Sequence, residues 1–256
     1  MFSRLRIGNS VKVLNRSYHS FYHINTPILD LNTVENQLLN KAYEEFVPKF
    51  GFTNESISKA SKSIGLNENS PNALFKFTSN DDLSMELILF HLKKCRQEID
   101  DLRKSELFKE NKFTNLNSND IEMEKLKYLI NARLDMNKPI LKYLPNILGR
   151  MITPNNLINS MKELHNLSDD ITYYAGDRSI DFKWYSKRMS ISGLYVQSEL
   201  FMINDSSIDQ QDTKNFVDSR LKEIDMAGYV YNSIEEWTFF NAVSTVNMIK
   251  SQLARG

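Results

Sequence analysis

The sequence predicts an all-α protein, and three observations carry that prediction. Gly and Pro number only 8 and 6 in 256 residues, well under the usual shares of about 7 % and 5 %. A sandwich, barrel or doubly wound sheet needs more tight turns than these supply. Apolar residues recur at intervals of three and four along most of the chain, the period of a helix with one buried face. Every proline lies at or before Pro154, so nothing breaks the helical pattern beyond it. The pattern resolves into nine or ten helices, with no internal repeat at solenoid periods.

Val34, Leu38, Leu39, Ala42, Tyr43, Phe46, Val47 and Phe50 form the stripe of a first helix over 33–49, ended by Gly51. Ile57, Ala60 and Ile64 give a short helix over 54–64 that stops at Gly65, and Pro71 opens a further turn through Leu74 and Phe75. One medium helix followed by two short ones resembles a helix-turn-helix head, placed at 32–78. Ser79 and Asp82 make a capping-box-like start for a long helix to about Leu102, whose charged end, 96–104, reads as solvated. The polar, Asn-rich stretch 108–119 reads as a loop. Met123, Leu126, Ile130 and Leu134 give a helix over 120–135, after which Pro139 and Pro145 break up a short segment. Thr153 and Pro154 are an N-cap and N1 pair for a helix to about Tyr174, stopped by Gly176. Ser179 caps a helix through about Ile203, apolar on more than one face and so expected at the centre of the domain. A further helix covers 209–226 and stops at Gly228. Ser233 and Glu236 form a capping box for the last, over 234–254.

The residue inventory narrows the chemistry. A lone Cys95 excludes a disulfide framework and a cysteine-based zinc site, and it reads as a buried small residue of its helix. The four histidines, His19, His23, His91 and His165, form neither HExxH nor ExxH, so no zinc or di-iron site is expected. No Gly-rich phosphate loop is present, and no catalytic apparatus emerges. Mean hydropathy is −0.44, and apolar runs such as Leu87–Phe90 fall far short of a membrane span. The formal charge of +0 provides no bulk basic field for nucleic acid. The second and third head helices offer Lys59, Lys62 and Lys76, diluted by Glu55 and Glu68 and without arginine, poor equipment for reading bases and phosphates.

That zero charge is unevenly spread. Residues 1–18 carry Arg4, Arg6, Lys12 and Arg16, and the first acid is Asp30. A basic, Ser-containing, acid-free leader is the signature of a mitochondrial transit peptide. Cleavage is expected near Tyr18–His19, with 19–31 as a linker. Without those four cations the remainder stands at −4.

The most informative stretch is 169–207. Trp184, Arg188, Ile191 and Tyr195 fall on one helical stripe. Arg188 either holds a phosphate at the mouth of an apolar chamber or pairs with an acid such as Asp181 or Asp170. The Trp184 and Tyr185 pair beside Asp181 suits a protein–protein hot spot or plain core. In the last helix Ile234, Trp237, Phe240, Val243, Val246, Ile249 and Leu253 repeat at three or four, and Lys250 and Arg255 lie at its end. That pattern suits an interfacial membrane helix, a docked terminal helix or a dimer seam.

The residues Asp169-Asp170, Tyr174-Ala175-Gly176-Asp177, Ser179, Asp181-Phe182, Trp184-Tyr185, Lys187-Arg188 and Glu199-Leu200-Phe201-Met202, followed by Asp205-Ser206-Ser207, carry a resemblance. They resemble the mitochondrial lipid-binding accessory proteins of ubiquinone (coenzyme Q) biosynthesis, the ninth member of that set. The ending NMIKSQLARG resembles the fungal branch. The resemblance implies a tetracycline-repressor-like bundle that has given up DNA binding, a homodimer, and no cofactor or catalytic residue. It implies an apolar cavity within 79–228 for an isoprenoid quinone precursor or a phospholipid, with Arg188, Tyr195 and Met202 as lipid contacts. It implies the di-iron demethoxy-ubiquinone hydroxylase and the coenzyme Q biosynthetic complex as partners, met through Asp169, Asp181, Trp184 and Tyr185. In fungi the family is also linked to an earlier ring-deamination step. The terminal segment 229–256 is implied to lie on the matrix face of the inner membrane through Ile234, Trp237, Phe240, Val243 and Ile249. Thr172 stands where many relatives have Trp and Ile171 where they often have Met; if these side chains meet the hydroxylase, the interface differs here in detail. The alternative from the head alone is a helix-turn-helix transcription regulator with an apolar ligand pocket.

Overall fold

The computed structural model describes residues 28–67, 70–75, 83–104, 118–179 and 182–227. Every regular element among these is helical, in agreement with the expected class. Helix α1, Val34–Lys41, starts at Thr33, whose Oγ1 accepts the Asn36 N–H. It runs without a break into a π-turn, Ala42–Phe46, and then into α2, Val47–Phe50. Pro48 explains the widened turn: it lacks an N–H, and its ring would press on the carbonyl four residues back in a regular helix. Helix α3, Asn54–Ser63, and α4, Ser70–Leu74, complete the head. The head packs on the first half of α5, Leu83–Lys104, through a core that includes Leu38, Ile57, Phe90 and Leu87.

The body begins with α6, Ser118–Asp135, followed by a 3-10 turn, Lys138–Tyr143, and α7, Leu144–Met151. Helix α8, Pro154–Ala175, α9, Phe182–Ile203, a 3-10 turn at Ile208–Gln210 and α10, Gln211–Ala227, complete it. Helix α8 packs against α5, α6, α7 and α9, and α10 closes over α6 and α9. Leu129, Ile130, Ile171 and Met202 lie at the centre of this second core with no exposed surface.

Several expectations change in three dimensions. The centre of the body is shared by the second half of α8 and by α9, as expected of α9: Ile191, Leu194, Tyr195, Leu200 and Met202 are buried, while Tyr185, Met189 and Phe201 stay exposed. Tyr185 and Met189, one turn apart at its start, make an exposed strip. The charged end of α5 is not simply solvated: Arg96 turns inward because α8 supplies Asp170 at 2.6 Å and Glu163 at 3.0 Å. Thr153 has the extended backbone of an N-cap, but its hydroxyl donates back to the Arg150 carbonyl at 2.9 Å. Ile171 and Thr172 are both fully buried, and Thr172 Oγ1 donates to the Ser168 carbonyl, so these two departures adjust core packing and meet no partner. In the head, α4 is five residues long and carries no Lys or Arg, and Lys59 of α3 is paired with Glu55 at 2.8 Å. The proposed leader, the Ser79 cap, Asp181 and the terminal helix fall outside the described residues.

Two glycines end head helices at different cost. Gly51 has φ 72° and ψ −165°, a region open almost only to glycine. A Cβ there would meet the Tyr143 ring at 2.9 Å, whereas at Gly65, φ 82°, it would meet nothing within 4 Å. Gly51→Ala should destabilise the fold by about 3 kcal/mol and Gly65→Ala by about 1 kcal/mol, read from urea denaturation. Equal losses would show that the Tyr143 contact yields freely.

Candidate functional site

The helices of the body enclose an apolar cavity of about 190 Å³, with walls from α5 to α10. A cavity of roughly 150 Å³ accommodates benzene, so the enclosed part takes one ring or a short chain and leaves a long tail outside. Leu157 and Met161 of α8 and Met189 of α9 line the cavity and are 40 %, 51 % and 50 % exposed. They mark its mouth. Gly193, also on α9, faces open space: a Cβ there would meet nothing within 4 Å.

The other end of the cavity is polar and closed. Arg133 of α6, His91 of α5, Asn137 just past α6, and Tyr195 and Glu199 of α9 all contribute to the wall, and all are buried. Asn137 is their hub. Its Oδ1 accepts from Arg133 Nη1 at 2.7 Å, which fixes the orientation of the carboxamide because arginine only donates. His91 Nε2 lies 3.3 Å from the same oxygen and must therefore carry the proton. His91 Nδ1 is then left as an acceptor for the Tyr43 hydroxyl, 3.1 Å away. On its other side Asn137 Nδ2 donates to Glu199 Oε1 at 2.8 Å and, more weakly, to the Tyr195 oxygen at 3.4 Å. Tyr195 donates to Glu199 Oε1 at 2.5 Å. Two donors remain: Arg133 Nε and Nη2 are buried and have no hydrogen-bond partner.

The same burial controls protonation. Desolvation, reinforced by the nearby Arg133 charge, pushes His91 down to about 3, so the ring is neutral, as the hydrogen-bond roles require. Desolvation raises the Glu199 carboxyl, against the pull of Arg133 and the hydrogen bonds from Tyr195 and Asn137. It also raises the Tyr43 and Tyr195 phenols and the Cys95 thiol, so Cys95 is a neutral core thiol.

A second charged cluster lies at the start of α9. Arg188, 1 % exposed, pairs with Asp169 at 2.5 Å and Asp177 at 2.9 Å and lies over the Trp184 ring at 4.0 Å. The paired-acid alternative for Arg188 thus describes its surroundings, with Asp169 and Asp177 as the acids found among the described residues. Lys187 joins Asp177 at 3.1 Å and also reaches Glu122. Burial alone would raise the Asp177 carboxyl, but the Lys187 charge and the hydrogen bonds from Ser179, Arg188 and Lys187 hold it below the usual range. Trp184 packs edge-on to Tyr185 and His165, and its buried Nε1 has no partner. Tyr185 is 52 % exposed and sits one helical turn before Met189, so this aromatic surface adjoins the cavity mouth.

Of the lipid contacts expected from sequence, only Tyr195 lines the cavity; Arg188 lies outside it and Met202 is in the core beyond it. Asp169, Trp184 and Tyr185 gather around Arg188, while Asp181 and the five residues of the terminal helix fall outside the described residues. The closed polar end was missed. Its signal was present: Leu126, Ile130, Arg133 and Asn137 share one helical stripe, so a cation interrupts an otherwise inward face. Among the described residues no group of His, Cys, Asp and Glu is arranged to hold a metal, and no helix is long and apolar enough to cross a membrane.

These features define a class: all-helical bundles that enclose an apolar chamber with a polar closed end. Residues 157–228, from the cavity mouth through α10, match the COQ9 family model. The chain is 30 % identical over 243 residues to ubiquinone biosynthesis protein COQ9, mitochondrial, of Saccharomyces cerevisiae, covering 91 % of this chain and 89 % of that one. It is 32 % identical over 228 residues to the protein of the same name from Eremothecium gossypii, covering 86 % of each. It is 34 % identical over 192 residues to COQ9-A of Xenopus laevis, covering 74 % of this chain and 57 % of the relative. The chain belongs to the COQ9 family.

Because folding lowers the His91 pKa from 6.5 to about 3, the unfolded chain takes up a proton that the folded one refuses. The stability this neutral ring contributes is complete above pH 6.5 and declines as pH falls toward 3, by up to about 1.4 kcal/mol per pH unit. Between pH 7 and pH 5 the unfolding free energy should drop by about 2 kcal/mol on this account, and the drop should largely vanish in His91→Gln. Parallel pH profiles for the two proteins in urea titrations would show that folding leaves the His91 pKa unshifted.

Proposed function

We propose that this protein serves mitochondrial ubiquinone biosynthesis as a non-catalytic lipid-binding accessory protein. It holds an isoprenoid quinone precursor or a phospholipid, and it presents polyprenylated intermediates to the di-iron demethoxy-ubiquinone hydroxylase on the matrix face of the inner membrane. Its curated relatives are named for ubiquinone biosynthesis and for the mitochondrion. The observation that carries the reading is the apolar cavity opening at Met161 and Met189, one helical turn from the Trp184 and Tyr185 surface. A polyprenylated ring is almost insoluble, and each CH₂ removed from water contributes about 0.8 kcal/mol. A chamber that covers one ring or a short stretch of chain, beside an aromatic surface that holds an enzyme, brings substrate and catalyst together with less apolar surface in water.

In this scheme Tyr195 faces the ligand, while Asp169, Trp184 and Tyr185 meet the hydroxylase. Arg188 takes a changed role: already neutralised by two carboxylates, it positions Trp184 and Asp169. Ile234, Trp237, Phe240, Val243 and Ile249 insert at the membrane surface, and the protein acts as a homodimer. The transcription-regulator reading has less support, since α3 and α4 carry no arginine and Lys59 of α3 is paired with Glu55, while phosphate binding draws on free cations.

Two variants of the full chain separate cavity from surface. Gly193→Leu places a side chain in open cavity space and should abolish the lipids that mass spectrometry finds on the purified protein, with helical circular dichroism unchanged. Trp184→Ala should keep those lipids but weaken hydroxylase capture at least roughly thirtyfold, as loss of a hot-spot aromatic does. Native protein that carries no lipid, or hydroxylase capture indifferent to Trp184, would remove the corresponding half of the proposal.

A further inference from the structure

Two stripes of side chains meet where α10 packs on α9. On α9, Met189, Gly193, Gln197 and Phe201 succeed one another at intervals of four, and on α10 Phe216, Arg220 and Ile224 do the same. At one end Met189, Gly193 and Ile224 line the chamber. At the other, Phe201 and Phe216 line a second hollow of about 340 Å³. Gln197 and Arg220 line both, so the chamber and the second hollow meet at these two side chains.

The second hollow offers apolar walls. The Phe201 and Phe216 rings stack 4.8 Å apart and 10° from parallel, and Phe201 is 39 % exposed. Arg220 lies over the Phe216 ring at 5.2 Å and pairs with Glu223 at 2.5 Å, both side chains being well exposed. Its charge is met at the surface, which leaves its stem as wall. Asp205 is spent on the start of α10, where it accepts from the Ser207 and Thr213 N–H groups and the Thr213 hydroxyl. A hollow of this size falls within the range of small-molecule sites.

We propose that the groove between α9 and α10 is a chain-binding site. An aliphatic chain whose other end occupies the chamber passes between Gln197 and Arg220 and lies against Phe201 and Phe216. This rests on the lipid-binding reading above and deepens it by giving the tail a site of its own. The chamber, at about 190 Å³, has no room for a long tail, whereas Met189 to Phe201 spans roughly 18 Å of helix. Gly193, with open space where a side chain would stand, leaves the way clear. Continuity with the chamber selects the occupant: a flexible chain one carbon wide can run through both hollows, and a partner helix about 10 Å across cannot.

Probes of two lengths test this with the full-length protein. Geraniol, with two isoprene units, fits the chamber alone, and geranylgeraniol, with four, must extend beyond it. Phe201→Asp places a charge in the groove but not in the chamber. It should weaken geranylgeraniol about tenfold or more and change geraniol by less than about threefold. A geranylgeranyl probe with a diazirine at its terminal carbon should, on irradiation, label the peptides that hold Phe201 or Phe216. Label confined to Leu157 and Met161 would show that the tail leaves by the mouth, and so overturn the site. Label missing from the groove of a chain that sediments as a dimer would assign the groove to a second copy instead. Equal weakening of both alcohols, or of neither, would overturn it too. The labelling decides alone if Phe201→Asp does not fold. Geraniol bound with geranylgeraniol indifferent to Phe201 removes only this inference, whereas failure of both to bind the unaltered chain removes the chamber reading with it.

Discussion

The short hydrogen bond from Arg133 to Asn137 is the constraint on which the rest of the chamber depends. It turns the Asn137 carboxamide one way only, and that choice propagates. The oxygen side fixes the tautomer of His91 on α5 and, through it, the Tyr43 hydroxyl in the head. The nitrogen side holds Tyr195 and Glu199 on α9. Three body helices and the head are thus registered by one amide in a region of low dielectric, where satisfied networks are strong and broken ones costly. Apolar packing tolerates many arrangements of similar volume. A network of this kind admits one.

The two buried arginines show how the same side chain serves opposite ends of a site. Arg188 is neutralised within the protein by Asp169 and Asp177 and stacked on Trp184. Its charge is met within the protein, although its buried Nη2 has no hydrogen-bond partner, and it stiffens a surface. Arg133 has no carboxylate within ion-pair distance among the described residues; it donates to Asn137 at 2.7 Å and lies over the Tyr195 ring, and so braces the buried polar part of the chamber wall. The family match begins at the mouth and runs through α8, α9 and α10, so it covers the Arg188 surface, while Arg133 lies upstream of the matched segment.

What was legible in the sequence followed from local physics. The scarcity of Gly and Pro and the three-and-four spacing give the helices, and Gly51, Gly65 and Gly176 end them with positive φ as their positions require. Side-chain partners were less legible because they depend on contacts distant in sequence. Arg188 has a helical register with Trp184 that can be read directly, but Asp169 reaches it from α8 and Asp177 from the turn between α8 and α9. Periodicity could not choose these over Asp170 or Asp181. The apolar faces of α9 correctly marked a central helix, with Ile191, Leu194 and Met202 buried, but periodicity could not tell which of its apolar residues would stay outside, as Tyr185 and Met189 do. The closed end joins Tyr43, His91, Asn137 and Glu199 from four segments, and no local pattern unites them.

The π-turn in the head bears on this arrangement from a distance. Its extra residue per turn, marked by the Val47 N–H bonding to the Ala42 carbonyl, changes the helical phase between Tyr43 and the segment that follows by about 100° relative to an uninterrupted α-helix. With that phase, Tyr43 meets His91 while Val47 is buried in the head core and Pro48 accepts the Tyr143 hydroxyl at its carbonyl. A chain shorter by one residue at exposed Glu44 or Glu45 would regain regular helix yet could not keep both anchors. The spacing between the head and the floor of the chamber is therefore counted in whole residues, and related chains that lengthen or shorten this segment must retune it from the opposite side.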